Sequence, residues 1–297
     1  MSSRSELLLK HPLVIEASEM RPGVKFKDTL LKFMEPERVE ALMLNVDNLI
    51  AHKLTYTSNG HKVMGFVVEP KEEKKRPVII YNREGSNDFG KILPSDVFVK
   101  LGRLALWDYC VIASQYSGSD GGEGKDEIGG SDIQDVLVLR DILEKYPYAD
   151  VQKVGMFGAG RGGLMTFMSL AQVDWIKAAS VIGGIADIKL QEAARPEMKD
   201  FYRIMFGTSE EARTKRSAVN WADKFCKKSP VLLLHGANDT RVPPASSAKL
   251  AEKLKENKVP CKHVEFEGAE HALFEVRKEV DAAVKSWFDQ YVACIVS

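Results

Sequence analysis

The chain has 297 residues, room for a large core in one α/β domain or for two smaller domains. With 44% hydrophobic and 28% charged residues it has the make-up of an ordinary globular protein, which excludes disordered, collagen-like and disulfide-scaffold classes. Lysine plus arginine and aspartate plus glutamate each number 42, so the formal charge is zero and nothing favours a nucleic acid or other polyanion as partner.

Residues 1–46 alternate helix-like apolar spacings with proline and charge, as in Leu30, Leu31, Phe33 and Met34 before Pro36, then Val39, Leu42, Met43 and Val46. They are expected to form a helical extension ahead of a main domain at 47–297. The early run Leu7-Leu8-Leu9 is too short for a signal-peptide core, and no stretch approaches the roughly 18 apolar residues of a membrane span. A cytoplasmic location is expected. Short β-rich runs follow at 53–57 and 62–68 around Ser58-Asn59-Gly60, a hairpin signature. Apolar runs at 77–81, 109–113, 154–157, 178–182, 231–234 and 263–266 complete eight strands, most of them separated by helical patterns at 131–146, 163–171, 245–257 and 275–292. This alternation predicts one α/β domain with a mostly parallel eight-stranded sheet flanked by helices. The interval 187–228, with Pro196, Phe201, Tyr202 and Trp221, reads as a small lid, and together with residues 1–45 it is expected to control access to the cleft.

The four cysteines, Cys110, Cys226, Cys261 and Cys294, lie far apart without a C-x-x-C pair and read as reduced thiols. No residue grouping has metal-ligand spacing, so neither a metal nor a cofactor is expected. Cys294-Ile295-Val296-Ser297 fits the C-a-a-X prenylation pattern, but no polybasic stretch precedes it and chance is the better explanation.

The densest local signal is Val154-Gly155-Met156-Phe157-Gly158-Ala159-Gly160-Arg161-Gly162-Gly163, a strand entering a helix through a glycine turn. Gly158, Gly160 and Gly163 satisfy the dinucleotide pattern G-x-G-x-x-G, and Asp187 follows at about the spacing of a ribose-binding acid. That pattern normally opens the first βαβ unit, whereas here several strands precede it. With one substitution the same residues are a nucleophile elbow, G-x-S-x-G, in which Gly160 takes the serine position. The elbow requires an acid after a later strand and then a histidine. Asp239 lies 79 residues after Gly160 and His271 a further 32 on, each past a strand.

These residues resemble the catalytic domain of the prolyl oligopeptidase family of serine peptidases, within the α/β-hydrolase superfamily, over roughly 47–292. The resemblance rests on the elbow, on His235-Gly236-x-x-Asp239-x-x-Val242-Pro243, on Glu270-His271 with the helix ending Trp287-Phe288, and on Gln115-Tyr116-Ser117-Gly118 with the glycine-rich run 121–130 before Asp132 and Asp135. It implies His271 as base, Asp239 as the acid that orients it, and an oxyanion hole from the N–H of Arg161 and the loop 81–86 with Arg83 and Glu84. It also implies hydrolysis of a short peptide or acyl ester. The family often has a second glycine where Glu84 stands, and a carboxylate aimed at the pocket would oppose a developing oxyanion; Glu84 is otherwise free to face solvent or pair with Arg83.

Because Gly160 has no side chain, no acyl-enzyme is expected, whether the glycine is an engineered replacement or a natural loss. A binding or regulatory pseudoenzyme is the alternative, ahead of a dinucleotide-binding protein. Full-length peptidases of the family carry a β-propeller for which this chain has no room. Oligomeric state is left open.

Simpler roles compete at several positions. His235 ends an apolar strand and is expected to pack there, while His263 reads as an edge position. Asp132 and Asp135 read as first-turn helix charges. The run Glu72-Glu73-Lys74-Lys75-Arg76 reads as a solvated hairpin connection.

Overall fold

A computed structural model describes residues 2–294. The chain opens with helix α1 (Arg4–Leu8), strand β1 (Val14–Met20) and helices α2 (Phe26–Leu30) and α3 (Pro36–Val46), followed by strands β2 (Leu49–Ser58), β3 (His61–Pro70) and β4 (Arg76–Asn82). Helical segments α4 (Pro94–Asp96) and α5 (Gly102–Ala105), joined by a π-type turn at Val97–Leu101, lead to β5 (Cys110–Ser114), α6 (Gln134–Ile142), β6 (Ala149–Ala159), α7 (Arg161–Leu170) and β7 (Ile176–Ile182). Three helices, α8 (Ile188–Ala194), α9 (Met198–Phe206) and α10 (Glu210–Lys215), precede β8 (Val231–Gly236), α11 (Ala245–Glu256), β9 (Cys261–Phe266) and α12 (Arg277–Phe288).

The strands form one nine-stranded sheet in the order β1-β2-β3-β5-β4-β6-β7-β8-β9. The pairs β1–β2, β2–β3 and β3–β5 are antiparallel, and from β5 to β9 the sheet is parallel. Strands β5 and β8 are buried at every position because helices cover both faces, which is why each reads as an unbroken apolar run. Alternate residues serve opposite layers: Val231 and Leu233 join Ile80, Met156 and Val181 on one face, whereas Leu232 and Leu234 join Ile79, Phe157 and Phe288 on the other.

All eight expected strands are present, and the ninth lies in the segment expected to be wholly helical. Val14–Met20 pairs with β2 at the sheet edge, with only Val14 fully buried. Its side chains carry too little apolar pattern to announce a strand; the ladder to β2 supplies the order, and Glu16 and Glu19 keep the free edge charged. The helical stretch 94–105 was likewise not anticipated. The 71–75 connection is not a hairpin, since β5 lies between β3 and β4. Nor is Arg76 solvated: it is 1% exposed and its Nε lies 2.6 Å from Asp108 Oδ1.

Strand register fixes where the loops emerge. Asn82 pairs with Gly158, Ala159 with Ile182, Ile182 in turn adjoins Leu234, and Gly236 pairs with Phe266. The carboxyl ends of β4, β6, β7, β8 and β9 therefore lie side by side, and the loops leaving them share one edge of the sheet, where ligands bind in open α/β folds.

Candidate active site

Gly160 joins β6 to α7 with φ +52° and ψ −118°, a conformation that strains any residue with a side chain by about 1–3 kcal/mol. Its N–H donates to the Ile182 carbonyl at 3.0 Å, and its own carbonyl accepts from Gly163 and Ile185 at 3.0 and 3.2 Å. The turn is thus held from both sides. There is room for a side chain: a Cβ placed on Gly160 would lie 3.4 Å from His271 Nε2 and 3.5 Å from Glu84 Cβ.

Asp239, in the turn after β8, is 6% exposed. Its Oδ1 accepts the N–H groups of Arg241 and Val242 at 2.8 and 2.9 Å. Its Oδ2 lies 2.6 Å from His271 Nδ1 and 3.0 Å from His235 Nε2. Burial opposes ionisation, yet the hydrogen bonds from His235, His271 and the Val242 N–H together hold this carboxyl well below the ordinary range. For His271 burial disfavours the imidazolium, but the bond to Asp239 and the nearness of Glu84 push its pKa up to about 9.

His235 packs as expected, with no exposed surface, and does more than fill space. Its Nε2 faces two acceptors, Asp239 Oδ2 and the Val242 carbonyl at 3.0 Å, and so donates, leaving Nδ1 to accept from the Ser247 hydroxyl at 2.6 Å. It braces the acid, a role the residue pattern did not reveal. Gly183 was also missed. At φ +53° it passes so close to the histidine that a Cβ would come within 2.9 Å of both Cε1 and Nδ1 of His271. The glycine pair after β7 was the available signal.

The loop after β4 departs from the expected arrangement. Arg83 is 1% exposed and turns away from the cleft, donating to the carbonyls of Gln115, Asn87 and Glu84 and to Ser119 Oγ. Its side chain holds the loop from beneath and does not line the cavity. Glu84 does line it: its Oε2 lies 3.8 Å from His271 Nε2, and contact with that histidine holds its carboxyl below the usual value. The carboxylate pairs with His271 in place of Arg83.

The Arg161 guanidinium is locked, lying 2.8 Å from Asp126, 2.6 Å from Asp132 and 4.2 Å from the Tyr116 ring centre, and donating to the Gly85 carbonyl at 3.1 Å. Asp126 Oδ2 also accepts the Asn87 N–H at 2.7 Å. One buried network therefore ties the loop after β4, the start of α7 and the glycine-rich run together. The Arg161 N–H, first in α7, has no intrahelical acceptor and is available to a ligand. Asp132 and Asp135 are first-turn charges as expected, and both are buried: Asp132 pairs with Arg161, and Asp135 accepts from the Ser117 N–H and Oγ at 2.7 and 2.8 Å.

Above Gly160 lies a cavity of about 500 Å³ with apolar walls that include Phe89, Ile128, Ile185, Met198, Phe201 and Val242. The lid contributes from Gln191 to Tyr202. Its later part packs inward instead, with Trp221 and Phe225 in the core. Residues 2–45 are not among those that line this cavity. Asp187 is no ribose ligand: its Oδ1 caps α8 and its Oδ2 lies 2.7 Å from Lys249 Nζ. The last three residues of the prenylation match lie outside the described residues. Among the described residues no helix is long and apolar enough to cross a membrane.

The model of the prolyl oligopeptidase family matches residues 97–294. The chain belongs to this family of serine peptidases. The uncharacterized peptidase YtmA of Bacillus subtilis is 29% identical over 211 residues, covering 69% of this chain and 79% of that protein. Inactive dipeptidyl peptidase 10 of Mus musculus is 30% identical over 128 residues, covering 43% of this chain and 16% of that protein. The Pyrococcus horikoshii acylaminoacyl peptidase structure superposes with a TM-score of 0.73 at 20% identity, covering 87% of this chain and 44% of that one. The last likeness shows the α/β-hydrolase fold. The chain thus spans four fifths of YtmA but less than half of the longer family members.

Proposed function

We propose that the chain derives from serine hydrolases acting on short peptides or acyl esters, and that as it stands it binds in the cleft without forming an acyl-enzyme. In the ancestral reaction a serine oxygen at position 160 would attack the acyl carbon, His271 would take its proton and return it to the leaving group, and Asp239 would hold the Nδ1–H tautomer. The N–H groups of Arg161 and of the 83–85 loop would meet the oxyanion. The observation that carries the reading is the position of Gly160, whose absent Cβ would lie 3.4 Å from His271 Nε2. The place of the attacking oxygen is occupied by nothing but hydrogen.

A binding or regulatory role without turnover gains support from Glu84. Its carboxylate lies beside the base that the serine would have engaged, and a base already holding its proton cannot accept another. A fluorophosphonate probe tests the reading. The protein as given is expected to stay unlabelled, Gly160→Ser/Glu84→Gly to label, and the same variant carrying His271→Ala to lose labelling. Labelling of the unaltered chain at a cleft residue would overturn it.

A further inference from the structure

We propose that the cavity over Gly160 is a binding site for a primary ammonium group borne on an apolar body, with the Glu84 carboxylate receiving the charge. The inference rests on the reading that this cleft binds without turnover, and it names the class of ligand.

Glu84 is the polar group that least suits the ancestral chemistry. Its side chain is 37% exposed and opens on the cavity, and its nearest cation is His271 at 3.8 Å, beyond hydrogen-bond length. Among the described residues no lysine or arginine nitrogen lies within 4.0 Å of its oxygens. An ionised carboxylate offers about four acceptor positions, so most of its hydrogen-bonding capacity is unused. The missing side chain at position 160, which would begin 3.5 Å from Glu84 Cβ, leaves space beside it.

Most positive charge around the cavity is already answered. Arg161 is matched by Asp126 and Asp132, Arg195 by Glu197 at 2.8 Å, and His271 by Asp239. Asp239, His271 and Glu84 together carry a net charge of one negative unit with His271 protonated. The Glu84 carboxylate therefore gives the floor of the cavity a local preference for a cation, offset in part by Arg241, Lys100 and the buried Arg83 guanidinium on the same loop, while Phe89, Ile128, Ile185, Met198 and Phe201 accept an apolar body. Arg241, exposed at the rim, is the one lining cation without an ion-pair partner among the described residues, and it presents the opposite preference.

Calorimetric titration of the full chain at pH 7 with phenethylamine, L-phenylalaninamide, N-acetyl-L-phenylalaninamide and N-acetyl-L-phenylalanine separates these. The amines are expected to bind at least tenfold more tightly than the acetylated compounds, and Glu84→Gln, which keeps the side-chain shape, to abolish that preference while circular dichroism shows the protein still folded. Tighter binding of the amide than of phenethylamine would identify a peptide amino terminus as the source of the ammonium; equal binding would identify simple amines. Equal affinity for the acetylated amide, indifference to Glu84→Gln, absence of binding, or preference for N-acetyl-L-phenylalanine through Arg241 would each overturn the proposal. Fluorophosphonate labelling of the unaltered chain would instead overturn the reading beneath it.

Discussion

Position 160 and His271 face each other across a gap sized for one side chain: a Cβ on Gly160 would lie 3.4 Å from Nε2 of the histidine. Gly160→Ser should therefore fold without a clash, at an expense of about 1–3 kcal/mol for the positive φ. Urea denaturation will measure that loss. Labelling by a fluorophosphonate should be weak at pH 7 and rise as the pH approaches 9, because Nε2 must first release its proton. Adding Glu84→Gly should restore labelling at neutral pH. Full labelling of the single variant at pH 7 would show that Glu84 does not hold the base protonated.

The pH dependence of stability has a definite sign. His271 moves from an ordinary 6.5 to about 9 on folding, so the folded state holds this proton more tightly. The stabilisation is fully present below about pH 6.5 and is lost as pH rises through 9. Asp239 acts oppositely: its depressed pKa stabilises the fold above the ordinary 3.8 and is lost as pH falls. Unfolding free energies measured from pH 6 to 10 should decline across the upper range, and His271→Gln should flatten that decline. In NMR titrations the His271 midpoint should drop in Glu84→Gln. A midpoint that stays put would rule out the Glu84 coupling.

Arg161→Met should destabilise the protein by about 3–5 kcal/mol, the usual consequence of leaving buried charge unpaired. Two carboxylates, Asp126 and Asp132, lose their partner, and both are 1% exposed. The denaturation midpoint reports the loss. Hydrogen exchange at the Asn87 amide, bonded to Asp126, reports whether the loop loosens with it.

The amino-terminal helix is anchored by a similar device. Arg4 lies 3.0 Å from Glu69, which has no exposed surface, and donates to the carbonyls of Pro70 and Lys71 at 3.0 and 2.6 Å. The Tyr146 hydroxyl bonds the same carboxylate, whose pKa burial pushes up. Arg4→Met should destabilise by about 3–5 kcal/mol and speed proteolysis within residues 2–20. Arg4→Met/Glu69→Leu should recover part of the loss, since it removes the orphaned charge; strict additivity would show that the pair does not interact.

Much of this molecule is readable along the chain. A parallel strand covered on both faces is apolar along most of its length, so Val78, Ile79 and Ile80 or Leu232, Leu233 and Leu234 announce themselves. The turn at Gly160, the acid at Asp239 and the histidine at His271 follow a fixed chain order, and the register of β6 to β9 carries them to one edge. Charged residues are harder to read. Arg76 reads as solvated, Asp132 as a first-turn charge and Arg83 as part of the cleft, yet each is buried because a partner distant in sequence or a set of carbonyls replaces water.

The residue pattern alone thus determined the mostly parallel α/β sheet and the glycine turn between β6 and α7, because apolar periodicity and residue identity are local properties. Only the tertiary structure decided that β1 joins the sheet, that His235 braces Asp239, and that Glu84 faces His271 and not Arg83. Each of these is a contact between groups on separate loops or strands. Its free energy depends on distance and burial, and neither exists until the strands are in register.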